Sequence, residues 1–113
     1  MVTLRNEADG PDDLRRLWAE LDSEGNLQLH GEDIGPKTAI VSSTGEYEWF
    51  ETVQKTDLPK LIALLGGKPN DHILDVLEKK WTGPRAGKFE TLLHESDIDV
   101  VISVWPLGPH TRS

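Results

Sequence analysis

Apolar and polar residues follow two different periods along the first third of the chain. Residues 11–21 carry apolar side chains at the i, i+3, i+4 and i+7 spacing of one helical face, which predicts a helix. These side chains are Leu14, Leu17, Trp18 and Leu21. Residues 26–34 alternate instead, which is typical of a short half-buried strand. Residues 36–43 fit either state, because a proline opens the segment whereas an Ile-Val pair favours a strand; we favour a short helical turn.

The stretch GEYEWFETVQ, residues 45–54, shows the clearest alternation in the chain and predicts a strand. One face of this strand has Tyr47, Trp49, Glu51 and Val53, and the other has Glu46, Glu48, Phe50 and Thr52. We expect the first face to point into the core, which leaves two glutamates beside an exposed phenylalanine. Glu51 is polar and falls on the core face, so we expect it either at the margin of the sheet or re-aimed by a β-bulge.

The second half of the chain contains three helical patterns followed by one strand pattern. Two of the helical patterns begin with capping residues or prolines and end with glycines or lysines, as helices do, and they span residues 56–67 and 69–81. Asn70 is the predicted N-cap of the second helix. Residues 87–96 predict a third short helix. Residues 98–105, IDVVISVW, are rich in Val and Ile on both faces, which predicts a central strand.

These elements predict an α+β fold. We expect a small, mostly antiparallel sheet of about three strands with roughly three to four short helices packed on it. The length of 113 residues fits a single domain spanning 1–113. We expect its ends, residues 1–10 and 106–113, to be frayed.

The charge is concentrated in the first half of the chain. Residues 1–57 hold 13 Asp and Glu against 5 Lys and Arg, which accounts for the whole net charge of −8, whereas residues 58–113 hold 7 of each. Such an acidic half repels nucleic acid and anionic membranes and steers a basic protein toward itself. We therefore expect no nucleic-acid or membrane partner. The alternative is that the acidic surface serves solubility alone.

The absence of cysteine and of a targeting segment bears on localisation. A chain without cysteine forms no disulfide and fits a reducing compartment. The N-terminus lacks the apolar region of a signal peptide, and no apolar run reaches the length of a membrane span. We expect a cytoplasmic protein.

The sequence offers weak matches to known site chemistry. Residues 83–88, GPRAGK, have too few residues between the glycines for a phosphate loop, and no Ser or Thr follows the lysine. Residues 22–33 place acidic residues at some calcium-loop positions but have Leu27 where that loop needs glycine. The four histidines lack a zinc-site spacing. We predict no catalytic residue, no metal and no cofactor, and rank a small hydrolase with paired carboxylates third.

The runs LPKLIALLGGKPNDHILDVLEKKW, GEYEWFETV and FETLLHESDIDVVISVW resemble a layout found in small acidic bacterial proteins of unassigned function. The resemblance covers residues 14–105. In general character such proteins are similar to immunity proteins, which are small cytoplasmic inhibitors of bacterial toxins. The resemblance implies a role as a toxin inhibitor and transfers no functional residue.

The acidic half and the resemblance together predict a non-enzymatic protein-binding domain, an immunity-type inhibitor that occludes a basic toxin. Its partner-binding residues would be Glu32, Asp33, Glu46, Glu48 and Glu51, with Phe50 or Trp105 as an apolar anchor. We expect a monomer or a weak dimer. The alternative is a stand-alone structural or regulatory module whose acidic surface only solubilises it.

Overall fold

The strands of the protein form one antiparallel sheet. The computed structural model describes residues 1–8, 14–34 and 46–105. Within these ranges the sheet has five strands in the order of the chain, each antiparallel to its neighbours. They are β1 (Val2–Ala8), β2 (Leu14–Leu21), β3 (Leu27–Ile34), β4 (Glu46–Val53) and β5 (Val100–Trp105).

Three helices connect β4 to β5. They are α1 (Leu58–Leu64), α2 (Ile73–Lys80) and α3 (Ala86–Glu95), with 3₁₀ turns at Lys55–Asp57 and Gly83–Arg85. Helix α1 ends where Gly66 adopts a φ of 83°, and the Gly66 and Gly67 amides donate back to the carbonyls of Ala63 and Ile62. This pairing is a Schellman motif, and it turns the chain toward α2. The N-cap of α2 is His72, whose Nδ1 accepts from the Leu74 amide at 3.2 Å, and not Asn70 as predicted.

The hydrophobic core lies between the three helices and one face of the sheet. Its sheet residues include Leu17, Leu29 and Val53, each fully buried, and its helix residues include Leu77 and Phe89, also fully buried. Burying these side chains from both layers is what holds helices and sheet together. We call the covered side of the sheet the helix face.

The sheet is larger than predicted. The fold is α+β, but the expectation of a sheet of about three strands is wrong, because the described residues form five. The two additional strands are β1 and β2, which replace a predicted frayed end and a predicted helix. The predicted element at 36–43 and the predicted frayed end at 106–113 lie outside the described residues.

Strand β2 occupies most of the segment for which helical spacing was predicted. Its alternating residues Leu17 and Ala19 are fully buried, and the chain turns directly from Leu21 into β3. In that turn one carboxylate oxygen of Asp22 accepts from the amides of Glu24 and Asn26, both at 2.9 Å. Pairing with β1 on one side and β3 on the other outweighs the local helical spacing, as tertiary context often does.

Strand β1 makes the N-terminal segment part of the core, so the prediction of a frayed end is wrong for residues 2–8. Val2 is 7% exposed and Leu4 1%. The register with β2 shifts between Thr3 and Arg5, which is a β-bulge. Because of the shift, the consecutive residues Leu4 and Arg5 are both buried.

Among the described strands β5 lies at an edge of the sheet, not at its centre as predicted. It pairs with β4 in a regular register from Val53↔Val100 to Glu48↔Trp105. Its apolar composition suggested burial on both sides, yet Val101 is 60% exposed and Ile102 55%.

Candidate functional site

The side of the sheet opposite the helices carries the candidate site, and we call it the open face. It is formed by the alternate residues of β2, β3 and β4 that point away from the core. The strand register places Trp18, His30, Phe50 and Ser103 in one row across it. A second row contains Arg16, Glu32 and Glu48.

Three rings form a continuous aromatic row at the centre of the open face. The ring centroids of Trp18 and His30 are 4.9 Å apart, and those of His30 and Phe50 are 4.5 Å apart with the rings stacked at 19°. These are the spacings of favourable aromatic pairs. Phe50 is nevertheless 39% exposed, so the row presents aromatic surface to solvent on a side that the core helices do not cover.

Carboxylates flank the aromatic row. Glu48 Oε2 lies 3.0 Å from His30 Nε2, and Glu32 Oε1 lies 3.8 Å from Arg16 Nη1. The guanidinium carbon of Arg16 is 5.9 Å from the Trp18 ring centroid, within cation–π range. Aromatic and charged groups are therefore interleaved, with Glu48 beside the imidazole of His30 and Glu32 beside the guanidinium of Arg16.

Two of these carboxylates directly oppose each other across neighbouring strands. Glu32 of β3 pairs in register with Glu48 of β4. Like charges in opposed cross-strand positions destabilise a sheet. Two carboxylates in opposed positions beside the exposed ring of Phe50 are an arrangement suited to receiving a positive group from a partner.

At the remaining end of the open face the polar side chains form hydrogen bonds with one another. Thr52 Oγ1 donates to Gln28 Oε1 at 2.8 Å, and Gln28 Nε2 donates to Asp22 Oδ2 at 3.1 Å. The pKa of Asp22 is lowered, first by the hydrogen bond from the Asn26 backbone and then by that from Gln28. These bonds stabilise the β2–β3 turn, so we assign this end a structural role.

The predicted partner-binding residues divide between the two faces. Glu32, Glu48 and Phe50 lie together on the open face. In the strand register Glu46 pairs with Ile34 and Trp105 pairs with Glu48; their side chains lie outside what the structure describes.

Asp33 and Glu51 lie on the helix face. Asp33 Oδ1 is 3.5 Å from Arg15 Nε. Glu51 is 1% exposed, and its Oε2 lies 2.5 Å from His94 Nε2 of α3. Its placement in the exposed set is therefore wrong, since a buried carboxylate does not reach a partner. The register around Glu51 is regular, so neither a sheet margin nor a β-bulge, the two predicted explanations, accounts for a glutamate on the helix face. Glu51 is accommodated there because His94 of α3 gives it a polar partner.

Sequence reasoning missed Trp18, His30 and Arg16. The helical reading of residues 11–21 assigned Trp18 to a core stripe and gave Arg16 no role. The missed signal is the alternation of Arg16, Trp18 and Glu20 against Leu17, Ala19 and Leu21, which is also a strand pattern.

A separate depression of about 110 Å³ lies between the C-terminal end of α1 and α2. It is lined by Gly67, Asp71, His72, Asp75 and Lys79 among others. Its volume falls below the roughly 300–1,000 Å³ of typical small-molecule pockets.

Within 1–8, 14–34 and 46–105, His, Asp and Glu side chains form no group of three or more that could hold a metal ion. No helix of the described ranges is both long enough and apolar enough to cross a membrane.

Comparisons of the chain with protein-family models, with curated proteins and with solved structures find no match.

Proposed function

We propose that the protein is a non-enzymatic protein-binding domain that binds a basic protein on the open face of its sheet. The observation that carries this proposal is the aromatic row Trp18–His30–Phe50 bordered by the opposed pair Glu32 and Glu48. The more specific form of the proposal, an immunity-type inhibitor, adds that the partner is a toxin whose basic surface is occluded.

The geometry suits a lysine or arginine of the partner. A cation placed over Phe50 or Trp18 would gain a cation–π interaction. From the same position it would reach the carboxylate of Glu48 or Glu32 and form a charge-assisted hydrogen bond. Binding would also relieve the repulsion between the two carboxylates, since the partner's charge would lie between them.

The distribution of charge supports the same partner. The net charge of −8 falls within residues 1–57, which include β1 to β4, whereas the part containing the helices and β5 is balanced. The field of the acidic part would accelerate the approach of a basic protein and orient it toward the sheet.

The test compares charge reversals on the two sides of the molecule. Glu32→Lys and Glu48→Lys change the open face, whereas Glu78→Lys on α2 and Glu95→Lys on α3 are matched controls at exposed positions. Each variant has the same change in net charge. Proteins captured from the source cells by the unmodified chain would be identified by mass spectrometry, and association rates would be measured for the captured partner.

We expect a basic partner whose association at low salt slows by about tenfold or more in the open-face variants and much less in the controls. Phe50→Ala should raise the dissociation rate, because it removes the exposed ring. An equally slowed association in the open-face variants and in the controls would mean that the acidic surface acts only through its long-range electrostatic field. Unchanged binding by Glu32→Lys and Glu48→Lys would reject the open face as the site and leave the solubilising module as the better description.

A further inference from the structure

The outer edge of β5 is unusual for the edge of a sheet. In the described residues β5 pairs with β4 alone, and its residues from Val100 to Trp105 include no charged side chain. Val101 and Ile102, which point to opposite sides of the sheet, are 60% and 55% exposed. Within the part of the chain that the structure describes, the outer backbone groups of β5 have no neighbouring strand, and they lie beside apolar side chains, which favours pairing with another strand.

The opposite edge of the same sheet is protected. Strand β1 carries Arg5 and Glu7 and is interrupted by a β-bulge between Thr3 and Arg5. Charges and bulges on edge strands are the usual means of preventing sheets from joining edge to edge. Strand β5 has neither of these features, and its register with β4 is regular along its length.

We propose that β5 pairs antiparallel with β5 of a second copy of this chain, which joins the two sheets into one continuous sheet around a twofold axis. An axis perpendicular to the sheet keeps both helix faces on the same side and places like faces opposite each other. With Ile102 at the axis, it would oppose Ile102 of the second copy, Val100 would oppose Val104, and Val101 would oppose Ser103. The strand would then occupy the central position that its composition predicts.

Charge favours a second copy as the occupant. The edge itself is uncharged and belongs to the balanced part of the chain, residues 58–113. The nearest open-face carboxylate, Glu48 on β4, would lie about three strand spacings across the sheet and about six residues along it from its counterpart, which makes roughly 24 Å. That distance exceeds the Debye length of about 8 Å at physiological ionic strength, so the repulsion would be screened. A basic partner, by contrast, would find no complementary charge on β5.

Sedimentation equilibrium from micromolar to millimolar concentration tests the proposal. We expect a dimer with twice the 12.6 kDa mass of the chain. Val101→Lys should weaken the dimer at least tenfold, since it places a charge at the joined edge. Asn6→Lys on β1 is the matched control, because it adds the same charge to the other edge, and it should leave the dimer unchanged. Circular dichroism would confirm that both variants fold.

Cross-linking provides an independent measurement, because the chain contains no cysteine. Under mild oxidation Ile102→Cys should form a disulfide-linked dimer, since directly opposed residues in an antiparallel pair are close enough for a disulfide. Asn6→Cys should not. A monomer at all concentrations, equal weakening by the two lysine variants, or equal cross-linking at the two edges would overturn the proposal.

Discussion

Gly31 lies against the indole of Trp49, and we predict that Gly31→Ala destabilises the protein. The two residues pair in register across β3 and β4. A β carbon added to Gly31 would lie 2.1 Å from both Cε2 and Cζ2 of Trp49. Atoms do not approach this closely, so the indole or the strand has to move.

The expected cost follows from two opposing effects. Overpacking of this kind costs about 1–3 kcal/mol. Replacing a strand glycine with alanine returns about 0.5–1 kcal/mol by restricting the unfolded chain. The midpoints of these ranges differ by roughly 1 kcal/mol, so we expect Gly31→Ala to lower the free energy of unfolding by about that amount, with the whole loss arising from the contact with Trp49.

Urea denaturation of a double-mutant cycle measures this contact. In the Trp49→Ala background the steric conflict is absent, so Gly31→Ala should be neutral or stabilising there. The coupling free energy between the two sites should then exceed about 1 kcal/mol. Equal destabilisation by Gly31→Ala in both backgrounds would refute the reasoning, because it would place the cost in the backbone of β3.

Three further predictions concern polar groups. Glu90→Ala should lower the free energy of unfolding by about 1–3 kcal/mol, because Arg5, 8% exposed, would lose its 2.6 Å partner while the 3.8 Å contact with Glu7 remains; chemical denaturation measures the loss, and a near-zero loss would show that water replaces Glu90. His94→Ala should cost about 1–3 kcal/mol by leaving Glu51 unpaired, and Glu51→Met in that background should recover most of the loss. The lowered pKa of Asp22 stabilises the folded state at pH values above 3.8, the ordinary pKa of the group, and this stability is lost as the pH falls through the lower pKa of the folded state. Asp22→Ala should therefore flatten the dependence of the free energy of unfolding on pH in this acidic range, and an unchanged dependence would contradict the prediction.

Strands β2 and β4, which pair with opposite sides of β3, show how far local pattern determines this fold. Alternation correctly assigned the two faces of β4, since Val53 is fully buried and Phe50 is exposed. The same rule also applies to β2, but there the leucines fit a helical spacing equally well. The choice depends on pairing with β1 and β3, which a local pattern does not contain.

The candidate site was only partly predictable for a related reason. Glu32, Glu48 and Phe50 could be named from charge and alternation, but the aromatic row also contains Trp18, which joins it only because β2 is a strand. Likewise, the position of Glu51 depends on His94, 43 residues further along the chain. Contacts over such separations are set by the packing of α3 on the sheet.

The helical connection between β4 and β5 has a consequence for the order of folding. Strands β1 to β4 are successive in the chain, whereas β5 is separated from β4 by residues 54–99, which contain the three helices. Closing so long a loop carries an entropic cost, and non-local pairing is slow. We therefore expect β5 to dock last. Until it does, the outer edge of β4 is free, and a nascent chain is most exposed to misassociation during that interval.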